Sequence, residues 1–378
     1  MTTETTELRP VAPAYIGSLK PYQAGKPIEE TAREYGLPEA SIIKLASNEN
    51  PLGMPPAARA AIDAILHGGA RYPDPNGHAL KTALSQRYAV EKNWITLGNG
   101  SSDILELVAR AFLQAATPEA DCNAVSSQYA FMAWQNAVKA TGARLIQVPA
   151  KDYGHDLDAM AQAITPGTRV VYLANPNNPT GTFFTLDALR AFMERVPGNV
   201  VVLLDEAYNE YLEPALRYDS TELVRRYPNL VVSRTFSKAF GLAGLRVGFA
   251  IATPYVTDLL NRVRQTFNVN SLAQAAAIAA LGDEAYLNAS YRLNREGIVQ
   301  FYALCTELGL EYVASQGNFV VIKVGHAGEL FDALLRRGII VRKVTDYGLG
   351  EWLRVTVGLP EENARFFSAL RELVALSV

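Results

Sequence analysis

The chain has 378 residues, of which 49% are hydrophobic and 19% are charged, and its formal net charge is −3 at pH 7. This composition is typical of a globular protein of two or three domains, and the absence of basic runs argues against nucleic-acid binding. No apolar run is long enough for a membrane span, two cysteines are too few for a disulfide framework, and four scattered histidines lack metal-ligand spacing. The polar N-terminus shows no secretory signal, so we expect a cytoplasmic protein without a metal or a membrane anchor.

The first part of the chain predicts an arm followed by small elements. Residues 1–40 are rich in proline and polar groups, which favours an extended arm with one short helix at 28–35. A short apolar strand over 42–46 and a helix over 55–66 follow. Next comes a proline-rich, rigid loop that carries Tyr72.

A strand–turn–helix segment has the pattern of an anion site. An apolar strand at 94–97 runs into Gly98-Asn-Gly-Ser-Ser-Asp103 and then into an amphipathic helix over 104–114. Unpaired N–H groups and the helix dipole at such a helix start favour a phosphate. Asp103 stands where the third glycine of a dinucleotide motif belongs, so the turn predicts a single phosphate. A capped helix without any ligand is the alternative.

Five apolar runs alternate with helical patterns and predict an α/β fold. The runs are 124–127, 144–148, 170–174, 200–204 and 230–233. Continuous apolar strands separated by helices indicate a buried, mostly parallel sheet with helices on both faces. Ligands bind beyond the carboxyl ends of such strands, so the residues directly after each strand are the candidate site.

Chemically capable residues follow four of these strands. Tyr129 follows the first, Asn175-Pro-Asn-Asn-Pro-Thr-Gly181 the third, Asp205-Glu-Ala-Tyr208 the fourth, and a glycine-rich segment the fifth. Each has an ordinary explanation alone, as a core tyrosine, a turn or a helix cap. Their common position at one edge of the sheet favours a binding site.

The glycine-rich segment contains Lys238, with Thr235 and Ser237 before it and Arg246 after it. A lysine in apolar surroundings has a lowered pKa and can attack an aldehyde, and an arginine fork suits a phosphate. The segment therefore predicts a Schiff-base lysine beside a phosphate site. A surface lysine next to a flexible turn is the alternative.

The pattern changes beyond residue 270. Long helices over 270–282 and 285–310 precede short strands that carry Arg342 and Arg354, which together could clamp an anion. We therefore predict three parts: an N-terminal arm at 1–40 that joins the smaller domain, a large domain at 41–270, and a smaller α+β domain at 271–378.

These motifs together resemble the fold-type I pyridoxal-phosphate aminotransferases. The segments 175–181, 205–208 and 353–358, with Lys238 and Arg246, have the order and spacing of that family. Four further features are similar to its histidinol-phosphate branch: Tyr22, Arg71-Tyr-Pro-Asp-Pro75, the 98–103 turn and Gly338-Ile-Ile-Val-Arg342. The resemblance covers nearly the whole chain and implies a large domain with a mostly parallel sheet between helices, plus a smaller α+β domain.

The resemblance also implies residue roles. Lys238 would hold pyridoxal 5'-phosphate covalently, Asp205 would pair with the pyridine nitrogen, and Tyr208 and Asn178 would bind the ring O3′. Tyr129 would stack on the ring. The phosphate ligands would be Ser101, Ser102, Thr235, Ser237, Arg246 and, from the other subunit of a homodimer, Tyr72.

The implied reaction is a ping-pong transamination of L-histidinol phosphate with 2-oxoglutarate, which gives imidazole-acetol phosphate and glutamate in histidine biosynthesis. Tyr22, Asn178, Arg342 and Arg354 would bind the substrate. An aromatic amino acid aminotransferase and a threonine-phosphate decarboxylase are alternatives on the same frame. A regulatory relative would need a DNA-binding module, for which the N-terminal segment is too short, and the broken GxGxxG motif disfavours a Rossmann oxidoreductase.

Overall fold

The structure is a computed structural model that describes residues 11–19, 21, 25–117 and 120–375. Its helices are α1 (Ala14–Gly17), α2 (Ile28–Tyr35), α3 (Pro56–Ile65), α4 (His78–Tyr88), α5 (Ser101–Phe112), α6 (Met132–Ala140), α7 (Leu157–Gln162), α8 (Leu186–Met193), α9 (Ser220–Arg226), α10 (Pro254–Val263), α11 (Ser271–Leu281), α12 (Glu284–Leu308), α13 (Ala327–Arg336) and α14 (Pro360–Ala375). Its strands are β1 (Ile43–Lys44), β2 (Ile95–Gly98), β3 (Asn123–Ser127), β4 (Arg144–Val148), β5 (Thr168–Ala174), β6 (Val201–Asp205), β7 (Leu230–Thr235), β8 (Gly248–Ile251), β9 (Tyr312–Val313), β10 (Phe319–Lys323), β11 (Ile339–Ile340), β12 (Arg342–Val344) and β13 (Leu349–Thr356).

A seven-stranded sheet forms the centre of the fold. Its strand order is β2-β8-β7-β6-β5-β3-β4, and β8 runs antiparallel to both of its neighbours while the other pairs are parallel. The predicted mostly parallel sheet is therefore confirmed. The strand β8 was not predicted, because its short Gly248–Ile251 run continues a glycine-rich motif.

Both faces of this sheet are covered by helices. Along β5, Val170 and Tyr172 belong to one apolar cluster, whereas Val171 and Leu173 belong to another. Successive side chains of a strand point to opposite faces, so a strand between two helical layers must be apolar throughout. This explains why the runs 170–174 and 200–204 are apolar throughout, whereas the edge strand β4 carries Arg144 and Gln147.

A second, smaller sheet lies in the C-terminal unit, which here means β9–β13 with α12–α14. Its order is β12-β13-β10-β9, and all pairs are antiparallel. Strand β1 is shorter than the predicted 42–46 strand, and it pairs in parallel with β11 of this unit. The domain boundaries at residues 41 and 271 stay predictions.

Helix α5 begins three residues before the predicted helix. Ser101, Ser102 and Asp103 form its first turn, and Gly100 precedes it with a φ of 85°. Apolar periodicity misses a polar first turn because these side chains do not contact the core. Across the described ranges, no helix combines the length and hydropathy that crossing a bilayer requires.

Candidate active site

A cavity of about 500 Å³ lies beyond the carboxyl ends of β5, β6 and β7. It is bounded on one side by this sheet edge and on the other by Arg342 and Arg354 of the C-terminal unit. The predicted residues that line it are Ser101, Ser102, Asn178, Asp205, Tyr208, Thr235, Ser237, Lys238, Arg246, Arg342 and Arg354. The fold thus brings together residues that are widely separated in sequence, as strand-end geometry predicts.

Lys238 lies in the loop between β7 and β8, and its amine points towards the turn that follows β1. Nζ donates a hydrogen bond to the backbone oxygen of Ser47 at 3.0 Å. Burial, assisted by the positive charge of Arg354, lowers the pKa of Lys238 to about 8. A substantial fraction of this amine is therefore neutral, and nucleophilic, in mildly alkaline solution.

Asp205 ends β6 and is buried at the floor of the cavity. Its Oδ2 accepts a hydrogen bond from the Tyr172 hydroxyl at 3.1 Å, and Tyr172 stacks on Trp134. Burial raises the pKa of Asp205 to about 6, while Tyr172 and the Ala207 N–H oppose this rise. Its Oδ1 forms no well-aligned hydrogen bond within the described residues. An acid held this way can accept a bond from a protonated ring nitrogen.

Tyr208 stands three residues beyond this acid, with its ring 5.8 Å from the Lys238 amine. Its hydroxyl oxygen accepts a hydrogen bond from Asn48 Nδ2 at 2.8 Å. Burial raises the pKa of Tyr208 well above its ordinary value, so the hydroxyl remains protonated at neutral pH. The hydroxyl is therefore available as a hydrogen-bond donor in the cavity.

The first turn of α5 and the loop after β7 form an anion-binding corner. Arg246 Nη1 donates to Ser237 Oγ at 3.2 Å, and the Arg246 guanidinium lies close to Gly100. The φ of 85° at Gly100 favours glycine, and a Cβ atom there would also displace that guanidinium. The backbone N–H groups of Ser101 and Ser102 at the start of α5 complete a site suited to a phosphate.

Asp103 stabilises this corner from outside the cavity. Its Oδ2 accepts from the Asn99 N–H at 2.8 Å and from Asn268 Nδ2 at 2.9 Å. The aspartate therefore holds the turn closed, and the residue that breaks the dinucleotide motif has a structural role. Asp103 does not line the cavity.

Two arginines face the corner from the C-terminal unit. Arg342 on β12 and Arg354 on β13 are register partners, so they stand side by side. Arg354 is 8% exposed, and its guanidinium donates to Asn178 Oδ1 at 2.5 Å and to the Ala46 oxygen at 2.8 Å. The predicted anion clamp is therefore geometrically possible in this fold.

Two of the predicted residues do not line the cavity, and a third is not described. Tyr129 is half-buried with its ring 6.3 Å from that of Tyr153, and Phe131 lines the cavity instead. Tyr72 is 81% exposed, lies outside the cavity and stacks on Phe267. Tyr22 lies outside the described residues. The proposed roles of these three tyrosines stay predictions.

Three further residues line the cavity although the sequence had not pointed to them. Ser47 and Asn48 directly follow the predicted 42–46 strand, and Tyr172 lies within the apolar run 170–174. A buried tyrosine usually has a partner for its hydroxyl, which is the one signal that could have drawn attention to Tyr172. No such signal marks Asn48, since turn sequences are rich in asparagine.

Comparison with known proteins places this fold and cavity in a family. The family model described as aminotransferase class I and II matches residues 40–370. The chain therefore belongs to the class I and II aminotransferases, and the family predicted from the sequence is confirmed.

Individual relatives are more specific. The chain is 58% identical over 367 residues to histidinol-phosphate aminotransferase 2 of Ralstonia nicotianae, covering 96% of this chain and 97% of the relative. It is 59% identical over 365 residues to histidinol-phosphate aminotransferase 1 of Cupriavidus pinatubonensis, covering 96% of each. The crystal structure of histidinol-phosphate aminotransferase from Sinorhizobium meliloti with pyridoxal-5'-phosphate has a TM-score of 0.85 and 27% identity, covering 100% of this chain and 99% of that one.

The residues of the cavity fit pyridoxal 5'-phosphate. The amine of Lys238 suits its aldehyde, the anion-binding corner suits its phosphate, and Asp205 suits its pyridine nitrogen. The Oδ1 atom of Asp205 is buried and, among the described residues, lacks a well-aligned partner, so a ring N–H would supply the missing donor. Within the described ranges, no group of histidine, cysteine and acidic residues could hold a metal ion.

Proposed function

We propose that this protein transfers the amino group of L-histidinol phosphate to 2-oxoglutarate, with pyridoxal 5'-phosphate as cofactor. The products are imidazole-acetol phosphate and glutamate, and the reaction is a step of histidine biosynthesis. The observation that carries the proposal is a single cavity in which an amine, an acid and a phosphate corner face two arginines. The names of the relatives at 58% and 59% identity support the substrate.

When bound, pyridoxal 5'-phosphate supplies an aldehyde that exchanges amino groups and a ring that withdraws electrons from the substrate carbon. Asp205 keeps the ring nitrogen protonated, because a carboxyl with a pKa of about 6 is ionised at neutral pH. Tyr208 and Asn178 donate to the ring oxygen. Ser101, Ser102, Thr235, Ser237 and Arg246 hold the phosphate, Tyr129 supports the ring, and these assignments are part of the proposal.

Lys238 has two tasks in this proposal. Its amine holds the cofactor before substrate arrives, and afterwards its Nζ takes the proton from the substrate Cα as a general base. The lowered pKa of about 8 favours both tasks, because a strongly protonated amine could neither attack nor accept a proton.

The arginines select an anionic substrate end. Arg342 and Arg354 stand side by side, so two cations meet the phosphate dianion of histidinol phosphate, with Tyr22 as a further ligand. The same Arg354 binds the α-carboxylate of 2-oxoglutarate when this second substrate enters. A single carboxylate needs only one arginine, which favours a phosphorylated substrate over phenylalanine.

The proposal includes a cytoplasmic homodimer with shared sites. Tyr72 is 81% exposed and stacks at 4.6 Å on Phe267, which is itself 37% exposed. Two stacked aromatic rings facing solvent are typical of a surface that a partner covers. In the dimer, Tyr72 reaches the cofactor phosphate of the other subunit.

Two measurements test this function. Borohydride reduction of the purified yellow protein, followed by peptide mapping, should find the cofactor mass on the Lys238 peptide, and Lys238→Ala should lose it. The ratio kcat/KM, with 2-oxoglutarate as acceptor, should be at least about 100-fold higher for histidinol phosphate than for phenylalanine. A preference for phenylalanine, or release of CO2 from threonine phosphate, would overturn the substrate assignment.

A further inference from the structure

Asn48 links the cavity to the C-terminal unit. It follows β1, is 1% exposed and has a φ of 55° in the left-handed region. Asparagine tolerates this conformation better than most residues. Its side chain touches Tyr208 on one side and Thr356, the last residue of β13, on the other.

The hydrogen bonds around Asn48 form one consistent chain of donors and acceptors. Its backbone N–H donates to Thr356 Oγ1 at 3.0 Å, so this hydroxyl accepts there. The hydroxyl proton of Thr356 then goes to Asn48 Oδ1 at 3.1 Å. With Oδ1 as an acceptor, Nδ2 faces Tyr208, to which it donates at 2.8 Å. In this orientation both polar atoms of the Asn48 amide have a partner.

This direction determines where the Tyr208 proton points. The tyrosine oxygen accepts from Asn48, so its own O–H must point elsewhere, and the cavity is the open side. We propose that Asn48 is a positioning residue that fixes the Tyr208 hydroxyl as a donor into the cavity, and that Thr356 sets the orientation of Asn48. This inference rests on the proposed function, in which Tyr208 donates to the cofactor ring oxygen.

Charges around the hydroxyl are consistent with this role. Burial raises the pKa of Tyr208, Arg354 and the bond from Asn48 lower it, and Asp205 and Tyr347 raise it. The Lys238 amine lies over the same ring. A bond donated to the tyrosine oxygen makes its O–H a stronger donor, and an anionic acceptor benefits most from a strong donor.

The test uses the holoprotein and three variants: Asn48→Ala, Asn48→Asp and Thr356→Val. The quantity is the pH midpoint of the visible absorption change of the bound cofactor, which reports how well the anionic ring oxygen is stabilised. Removing the donor in Asn48→Ala should raise this midpoint by about one pH unit. Asn48→Asp should raise it at least as much, because a carboxylate accepts the Tyr208 proton and turns it away from the cavity. Thr356→Val should give a smaller rise in the midpoint. In all three variants, kcat should change by a larger factor than KM.

The matched control is Asn294→Ala. Asn294 is a buried asparagine whose Nδ2 donates to the Gly317 oxygen, and it does not line the cavity. This variant should lose stability without moving the midpoint. Unchanged midpoints in Asn48→Asp and Thr356→Val, with cofactor still on the Lys238 peptide, would overturn the proposal. A wild-type protein that binds no cofactor would instead overturn the proposed function.

Discussion

Arg354 and Asn178 are joined by a hydrogen bond of 2.5 Å between Nη1 and Oδ1. Arg354 belongs to the smaller sheet, whereas Asn178 follows a strand of the central sheet, 176 positions away in sequence. The bond places the proposed anchor of the substrate anion directly beside a proposed ligand of the cofactor ring. A substrate anion bound at Arg354, as proposed, would therefore be mechanically connected to the position of Asn178.

The first prediction concerns Arg354→Lys. Arg354 reaches Asn178 and the Ala46 oxygen with separate nitrogen atoms, and a lysine lacks the planar fork that could span both and a substrate anion as well. We expect kcat/KM to fall about 100-fold, or about 3 kcal/mol, for both histidinol phosphate and 2-oxoglutarate. Stopped-flow measurement of each half-reaction checks this. A loss confined to one half-reaction would show that Arg354 does not serve both substrates.

The second prediction separates the two arginines. Arg342→Gln removes the cation that only the phosphate dianion requires, so kcat/KM should fall about tenfold more for histidinol phosphate than for 2-oxoglutarate. Lys343→Gln is the control, because this neighbouring lysine is exposed, lies over the Phe331 ring and does not line the cavity. Equal losses for both substrates would assign Arg342 a general role instead.

The third prediction concerns the stability of the cofactor-free protein. Burial raises the pKa of Asp205 from 3.8 to about 6, so between these pH values the folded state binds more protons than the unfolded state. Its contribution to stability therefore declines as pH rises through this window. Asp205→Asn removes the buried charge and should raise the free energy of unfolding by about 3 kcal/mol at pH 7.5, and by less at pH 4.5.

Urea unfolding of the cofactor-free protein at both pH values measures this difference. The control is Asp187→Asn, since the Asp187 side chain is 94% exposed, and its effect should stay within about 0.5 kcal/mol. The Asp205→Asn variant should also lose catalysis, so a gain in stability would accompany a loss of function. If Asp205→Asn were instead less stable than the wild type at pH 7.5, the buried charge would not be the destabilising element.

The fourth prediction concerns the buried ion pair behind the cavity. Arg234 Nη2 lies 2.8 Å from Glu206 Oε2, and Nη1 lies 3.0 Å from Glu210 Oε1. Arg234→Met would leave these carboxylates without their cation, so we expect a loss of about 3–5 kcal/mol in urea unfolding. Arg371→Met breaks the exposed pair with Glu307 and should cost less than about 1 kcal/mol. If both variants lost similar amounts of unfolding free energy, the expected difference between the buried and the exposed ion pairs would be disproved.

The fifth prediction tests the shared site of the proposed homodimer. Tyr72→Ala and Lys238→Ala should each give poorly active dimers, because each site lacks one component. After subunit exchange, a mixed dimer contains one site with both residues intact, so an equal mixture should recover about a quarter of wild-type activity. Mixing Lys238→Ala with Asp205→Ala, which fail in the same site, is the control and should recover none. Recovery in the control, or none in the test, would refute the arrangement.

Much of the site could be predicted because the sheet is parallel. Lys238, Asp205 and Asn178 all follow apolar runs, and parallel strands bring their carboxyl ends to one edge. The family motifs then supplied roles that the spacing alone left open. The 98–103 turn also borders the cavity. It could be predicted because small residues before an amphipathic helix indicate a helix start with free N–H groups.

The rest of the site could not be predicted, because it depends on contacts between residues that are far apart in the sequence. The bond between Asn48 and Tyr208 joins residues 160 positions apart, and it exists only because β1 packs with the C-terminal unit. Strand β8 was not predicted, because it directly continues the glycine-rich loop that carries Lys238. The position of Phe131 at the cavity depends on side-chain packing that the order of residues does not reveal.

The antiparallel direction of β8 has a consequence for motion. The loop that carries Lys238 leaves the sheet at Thr235 and returns at Gly248, and these two residues are paired neighbours. The loop is thus tethered at both ends to the most protected part of the molecule, unlike a loop that leads into a mobile helix. Hydrogen–deuterium exchange should therefore be slow at both anchor points, and Lys238 should keep its position relative to the sheet.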